Sequence, residues 1–434
     1  MSEPPIDPAV AAALRELGSP DGTGLCIDGV AASTLAATFG TPLYVFSAAV
    51  LRRRVAAVKA ALGPRVELLW SVKANPSVSV TRCLREAGTG IEIASLGELQ
   101  VALAAGHDAA AVRFAGPGKT DAELQVAIEQ DLCLHVESAD ELAAIDRLAT
   151  SAGRTARLAL RVNFAAEVQG SRLRMGGRSS RFGIDQEQVP ALLQQIAARP
   201  ALRLVGAHVY GGTQCFDANA CVRQAAALCA AVRGWEANGA RLDELDLGGG
   251  FGVAAFHGDG SFDLAAAGRE LSALMHEYDR PGRRWFVELG RFLAAPAGVY
   301  LTRVVRQKQS GGITQVAVDG GLHQHAAAAG VGTIVRRPPL LVRAAAPWAA
   351  GTTPVTIGGP LCTPQDQFAD QLPLGPLAAG ELLAVLHAGA YGLTFSPHSF
   401  LSHATPAEVF VDDGEARLAR HRGTPADALR GQVR

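Results

Sequence analysis

The sequence predicts an α/β protein, a parallel (β/α)8 TIM barrel followed by a C-terminal all-β domain. Three observations carry this. Eight short apolar runs with strand character alternate with Ala/Leu/Glu-rich segments at helical spacing between residues 66 and 289. Glycines or polar residues recur just past nearly every run, as they do where barrel strand ends converge on one face. Beyond about residue 295 helical spacing fades, and short strand-like runs are separated by Gly, Pro and Asp turns. A doubly wound open sheet shares the local alternation but spreads its strand ends along an edge. The expected division is a barrel over 43–294 and a β-domain made of 1–42 plus 295–434, with the early strand at 42–47 drawn into the β-domain's sheet.

Taken in order, residues 8–17 read as a short helix and 42–47 as a strand. The barrel runs fall at 66–73, 90–95, 112–116, 133–137, 157–163, 204–210, 244–248 and 285–289. Helical segments lie between them, for example at 120–130, 139–152, 187–198 and 217–237. Ser138-Ala-Asp-Glu141 has the spacing of a capping box. The later strands are expected at 299–306, 314–319, 353–357, 382–387 and 407–411, with the last dozen residues a loosely held tail.

The 434 residues are 48% hydrophobic and 19% charged, with a formal net charge of -1. That composition supports a large core and gives no electrostatic case for nucleic acid or an anionic membrane as partner. The start, Met1-Ser2-Glu3-Pro4-Pro5, lacks the basic and apolar regions of a signal peptide, and no apolar span reaches membrane length. Seven cysteines without paired spacing argue against a zinc site or disulfide framework, so no metal is expected and the compartment is read as the cytoplasm. Six of them read as small buried hydrophobes, and Cys362 stands apart.

The chemistry gathers past the strands. The run Val66-Glu-Leu-Leu-Trp-Ser-Val-Lys73 ends a buried strand on a lysine, beside the Asn75-Pro76 turn. Such a lysine either snorkels to water or serves as a partly desolvated Schiff-base amine. After the seventh strand comes Gly248-Gly249-Gly250, which lets a phosphate approach the backbone but is also what a plain turn needs. It is neither a nucleotide P-loop nor a dinucleotide fingerprint. After the eighth come Glu288, Gly290 and Arg291, a structural ion pair or a clamp for a phosphorylated cationic ring. After the sixth comes His208-Val-Tyr-Gly-Gly-Thr-Gln214, where a lone histidine is ordinarily a satisfied core residue.

Together, Ser71-Val-Lys73-Ala-Asn75, Ser180-Arg-Phe-Gly183, His208 with Gly-Thr-Gln214, Gly248–Gly250, Glu288-x-Gly-Arg291, Gly359-Pro-Leu-Cys362 and Gly389-Ala-Tyr391 resemble the pyridoxal-phosphate-dependent ornithine/diaminopimelate/arginine decarboxylase family, fold type III. The resemblance covers about 40–415. It implies an alanine-racemase-like barrel with a β-domain, working as a homodimer with shared active sites. It implies that Lys73 holds the cofactor pyridoxal 5'-phosphate, that Glu288 meets the ring nitrogen and that His208 stacks on the ring. It implies a phosphate held by Gly248, Gly249, Gly250, Gly290 and Arg291, and a Tyr391 touching cofactor and substrate. Cys362, from the partner subunit, would protonate the carbanion. Which of Gly211, Gly212 and Thr213 faces the phosphate stays open.

Two departures narrow the substrate. The family's free diamino-acid enzymes place an acidic residue straight after the cysteine, whereas here Cys362 is followed by Thr363, and the carboxylate comes only at Asp366. Asp319-Gly-Gly-Leu-His323-Gln-His325 puts two histidines in another substrate-side loop, where they are either polar loop residues or substrate contacts. Both features are similar to a biosynthetic subgroup that includes carrier-protein, siderophore-pathway and exosortase-associated decarboxylases. The expectation is an L-amino acid joined to something larger, with Arg291, Cys362, Asp366, Tyr391 and His323 as substrate contacts. meso-Diaminopimelate decarboxylation is the alternative. A racemase is disfavoured by Glu288, and a pyridoxal-phosphate carrier by the β-domain.

Overall fold

A computed structural model describes residues 6–164, 171–174, 179–332 and 336–433 of the chain. It divides into two compact units. One comprises Arg54–Gly252 and Phe262–Phe292; the other comprises Met1–Arg53, Val253–Ser261 and Leu293–Arg434.

The first unit is a closed parallel barrel. Its strands are β1 (Val66–Ser71), β2 (Gly90–Ile93), β3 (Val112–Phe114), β4 (Cys133–Val136), β5 (Ala156–Asn163), β6 (Leu202–Val209), β7 (Glu244–Gly249) and β8 (Arg284–Leu289). Each pairs in parallel with the next, and β8 pairs with β1 to close the ring. The strands are nearly continuous apolar runs because both faces are covered, by the barrel interior and by the helices outside. The helices at Asp121–Glu129, Ala139–Ser151, Val189–Ala197 and Ala218–Ala237 follow the expected spacing.

Capping differs from expectation at one point. Ser138 Oγ accepts from the Glu141 N–H at 3.1 Å, but the Glu141 carboxylate turns to the Glu137 N–H and to Lys119. The reciprocal box is instead at Thr120 and Glu123. A buried lysine nearby outcompetes the box, since Lys119 Nζ needs the charge.

At the strand N-termini the barrel is filled by charge. Arg113 on β3 meets Glu244 on β7 at 2.7 Å, with its guanidinium 3.7 Å above the Phe286 ring. Glu244 also accepts from Arg284 at 2.9 Å. Arg113 and Glu244 persist as buried charges because each has an opposite partner, and Arg113 has a ring face as well.

The second unit is organised by a strand path through Gln367–Gly375, Thr353–Gly358, Ile313–Val318, Gly298–Ser310, Leu43–Ser47, Ala407–Asp412 and Glu415–Arg420. The strand Leu43–Ser47 is fully buried between Gly298–Ser310 and Ala407–Asp412, so position 43 belongs to this sheet and the barrel's boundary falls later than the 43 expected. Residues 253–261, expected in the barrel domain, also pack with this unit. Strands at Leu341–Arg343, Gln367–Gly375 and Glu415–Arg420 were not anticipated. The tail is more ordered than expected, since Thr424 and Asp427 cap a short 3-10 turn at Pro425–Leu429.

Candidate active site

Each barrel strand delivers its polar residue to the interior by simple alternation. Lys73 sits in a single 3-10 turn, Val72–Ala74, where β1 ends. The turn is held tightly against the end of β8: a Cβ at Gly290 would lie 2.9 Å from Ala74 Cβ and 3.3 Å from Ser71 Cβ, so only glycine fits there. Lys73 Nζ lies 3.2 and 3.3 Å from the two Glu92 oxygens and 5.5 Å from the centroid of the Tyr210 ring. The lysine side chain is 35% exposed while Glu92 is 2% exposed, so the amine stands between a buried carboxylate and open space. Of the two readings of Lys73, this geometry departs from a plain snorkelling lysine, because the head group points to a buried partner.

Deeper in, His208 Nε2 lies 3.4 Å from Glu288 Oε2, both side chains 1% exposed. The His135 ring packs on His208 with centroids 4.6 Å apart. His135, His208, Asp246 and Glu288 each bring one donor atom within 4.8 Å of the others. Among the described residues, Glu288 Oε1, Asp246 Oδ2 and both nitrogens of His135 have no hydrogen-bond partner. Buried groups left unpartnered in this way are expensive and mark a place where something else binds.

The electrostatics separate the two carboxyls. Burial pushes Glu288 up, but the neighbouring His208, with Lys73, more than offsets it and holds the group well below the usual carboxylate range. Asp246 goes the other way: burial and the Glu288 charge push it well above that range, against the pull of Arg113 and the Gly248 N–H. One buried carboxyl therefore stays ionised beside one that keeps its proton. Glu92 is also raised, first by burial and then by Glu288, with Lys73 opposing. Burial, then His208, drives His135 well below its ordinary value, so this imidazole is neutral.

The glycine run has a structural cause of its own. Gly248 and Gly250 have φ of +70° and +80°, and a Cβ on either would land on the carbonyls of Val209 and Gly212. A Cβ on Gly249 would land on the Glu288 carbonyl. The three glycines thus let the β6, β7 and β8 ends crowd together. The Gly211 N–H donates to Gln224 Oε1 at 2.9 Å, which spends it within the fold. Arg291 opens a short helix directly after Gly290. Behind β4 and β5, Glu137 accepts from Arg161, Gly116 and Gly183, which fixes the Ser180–Gly183 segment.

The barrel unit therefore holds Lys73, His208, Gly248, Gly249, Gly250, Glu288, Gly290 and Arg291. Cys362, Asp366, Tyr391 and His323 lie in the other unit. Cys362 is exposed on a turn, and Tyr391 has φ +52° with its ring edge-on to Phe395. Asp366, expected as a substrate contact, has both carboxyl oxygens engaged within its own unit. Its Oδ1 accepts from the Leu322 N–H at 2.6 Å and its Oδ2 from the Leu361 N–H at 2.8 Å, so the carboxylate is turned inward to tie two loops. His323 is buried against the His403 ring at 4.9 Å and held at about 4 by burial and His403. Glu92, His135, Asp246 and Arg161 were missed. Their signal was a lone charge or imidazole inside an apolar strand run.

A family profile described as "Pyridoxal-dependent decarboxylase, pyridoxal binding domain" matches residues 48–295. The L-glutamyl-[BtrI acyl-carrier protein] decarboxylase of Niallia circulans is 33% identical over 415 residues, covering 94% of this chain and 97% of that protein. A diaminopimelate decarboxylase of Actinosynnema pretiosum is 35% identical, covering 98% and 97%. Among solved structures, the diaminopimelate decarboxylase of M. jannaschii superposes with a TM-score of 0.87 at 25% identity, covering 95% of this chain and 96% of that one. Among the described residues, no helix is long and apolar enough to cross a membrane.

Proposed function

The chain belongs to the pyridoxal-dependent decarboxylases and is a pyridoxal-phosphate enzyme, and from that premise we propose that it decarboxylates an L-amino acid carried on a larger conjugate. The carrying observation is the buried Glu288–His208 pair beneath Lys73. The residues fit the cofactor. Glu288 is ionised and has one oxygen without a partner among the described residues, which suits a protonated ring nitrogen. The same four donors would suit a divalent ion, but the family's cofactor meets the need for a cationic partner.

When bound, pyridoxal phosphate supplies the electron sink for the pair left on Cα as CO2 departs. The chain's own residues do the rest. Lys73, held against the Glu92 carboxyl, provides the amine that holds the cofactor. His208 presents its ring face, steadied by His135 behind it. Asp246 keeps its proton and so leaves the negative charge on Glu288. Arg291 and the crowded glycine ends form the phosphate side. Cys362 delivers the proton to Cα, in a homodimer where the cysteine loop of one subunit serves the site of the other.

The conjugate reading rests on Thr363 and Asp366. No carboxylate follows Cys362, and Asp366 is occupied with backbone N–H groups, so this loop offers no anion to a substrate's distal ammonium. The relative at 33% identity acts, by its name, on a carrier-bound L-glutamyl group. Diaminopimelate decarboxylation is the second reading, favoured by the 35% identity to the Actinosynnema enzyme. The test is CO2 release by the cofactor-loaded enzyme against meso-diaminopimelate, ornithine, lysine, arginine and glutamate, each free and as amide or thioester. Turnover of conjugates alone supports the first reading; fast turnover of free meso-diaminopimelate replaces it with the second.

A further inference from the structure

Beside the Cys362 turn, the β-rich unit carries a polar cavity of about 330 Å³. Its floor is one face of the sheet formed by Gly298–Ser310, Ile313–Val318 and Thr353–Gly358. Two rungs cross that face in register. One runs Arg306, Ala317, Gly358, and the other Lys308, Gln315, Thr356. Residues opposite one another on adjacent strands point to the same side, so both cations stand over one trough. The trough exists because Ala317 and Gly358 are the smallest residues on their rung. Gln367, paired with Gly358, extends the floor, and Thr363 and Pro364 form a wall. That wall is the loop that begins at Cys362.

Arg306 and Lys308 form no ion pair among the described residues, although the Asp366 carboxyl also lines the cavity. Arg337, Arg343 and Arg420 in the same unit each meet a carboxylate. Arg306 bonds only the neighbouring Val305 carbonyl, and neither it nor Lys308 has an acidic partner among the described residues. Both are exposed. Outside the lining, Arg336 donates to the Gln365 carbonyl on the same loop at 3.0 Å. The nearby carboxylates are held away from ion pairing with them: Asp366 accepts from the Leu322 and Leu361 N–H groups, and Asp370 from the Thr356 hydroxyl at 2.9 Å. In a chain of net charge -1, this is a local cationic pocket and not a general surface property.

We infer that this cavity binds the phosphodiester of a phosphopantetheine-type arm, so that a thioester-linked amino acid is anchored by its arm beside the cysteine loop. Three features suit that group. Two cations at one trough match an anion of charge about one better than a lone surface lysine does. The volume lies at the lower end of small-ligand pockets, enough for a phosphodiester and the first atoms of its arm. Threonine and glutamine at the wall and floor offer hydrogen bonds to the remaining oxygens. The inference rests on the conjugate reading above and on Cys362 serving the reacting carbon.

The experiment compares L-glutamyl-S-4′-phosphopantetheine with L-glutamyl-S-pantetheine, which lacks the phosphate, on the cofactor-loaded enzyme. KM should be about tenfold lower for the phosphorylated thioester. In the Arg306→Ala/Lys308→Ala double variant the two KM values should converge. Equal KM values in the natural enzyme, or a gap that survives in the double variant, overturn the inference. If neither thioester is turned over, the conjugate reading fails, and titration calorimetry of 4′-phosphopantetheine against pantetheine still decides the cavity. Tighter binding of the phosphorylated compound, lost in the double variant, upholds it; equal binding overturns it. A change of oligomeric state in the double variant by light scattering overturns it too, assigning the cavity to a contact between copies of the chain.

Discussion

Replacing Asp366 by asparagine separates a structural role from a substrate role with one atom. The aspartate accepts from the Leu322 N–H at 2.6 Å and from the Leu361 N–H at 2.8 Å, tying the His323 loop to the Cys362 loop. The glycines at 321 and 359 exist to admit it, since a Cβ on either would collide with its carboxylate oxygens. Asparagine preserves volume, so no cavity term enters. One bond survives in weakened, neutral form. The other is replaced by an amide N–H facing a backbone N–H. Losing a charge-assisted bond costs about 1.5–3 kcal/mol, and stranding a buried donor about 1–3 kcal/mol more. A destabilisation of about 3 kcal/mol follows, which for a unit of about 200 residues lowers Tm by roughly 6–12 °C. The assay is thermal unfolding by calorimetry, together with the ratio of kcat/KM for meso-diaminopimelate over an L-glutamyl thioester. Tm should fall and the ratio should hold. An unchanged Tm with a changed ratio would refute the reasoning and return Asp366 to the substrate site.

Lys73→Ala should abolish the visible absorbance of bound cofactor and any borohydride-trappable adduct; an adduct that persists removes Lys73 from its role. Cys362→Ala should keep the cofactor spectrum while slowing product formation by about 10²–10⁴-fold, the usual worth of a positioned proton donor. A full rate in that variant excludes the cysteine. His325, packed between Tyr44 and Tyr300, is held at about 3 by burial, against 6.5 when unfolded. The unfolded chain then binds more protons, so stability is present above about pH 6.5 and is lost as pH falls. From pH 7 to pH 5 that loss is about 2 kcal/mol at about 1.4 kcal/mol per unit. His325→Gln should flatten the urea-midpoint dependence over this range by that amount, and an unaltered slope would show that the imidazole is not kept neutral.

What the sequence revealed and what it hid follow from the same physics. The barrel was legible because parallel strands buried on both faces leave unmistakable apolar runs, and all eight are bounded to within two residues by β-formers and turn residues. Lys73, Glu288 and His208 were legible because they stand next to turn signals at strand ends. Glu92, His135 and Asp246 were not, because each sits alone inside its apolar run and only the closure of the ring brings them near Glu288. Pattern reading sees neighbours along a chain, and this cluster is assembled across four strands.

Asp366 shows a structural role that its place in the sequence did not suggest. Its distance from Cys362 in sequence suggested a displaced ligand for an amine, but the glycines at 321 and 359 were the sign that a carboxylate would be swallowed between two loops. A glycine that no turn explains asks which side chain occupies its missing Cβ. The same question, put to Gly290, returns the turn that carries Lys73, and put to Gly249, the strand that carries Glu288. Those two glycines look like phosphate ligands in the sequence, yet their packing alone demands them. The phosphate side of the site therefore has to be tested through Arg291: Arg291→Met should raise the cofactor's apparent Kd by about tenfold or more while leaving the Lys73-dependent spectrum intact at saturation. An unchanged Kd would mean that the glycine ends carry the phosphate without it.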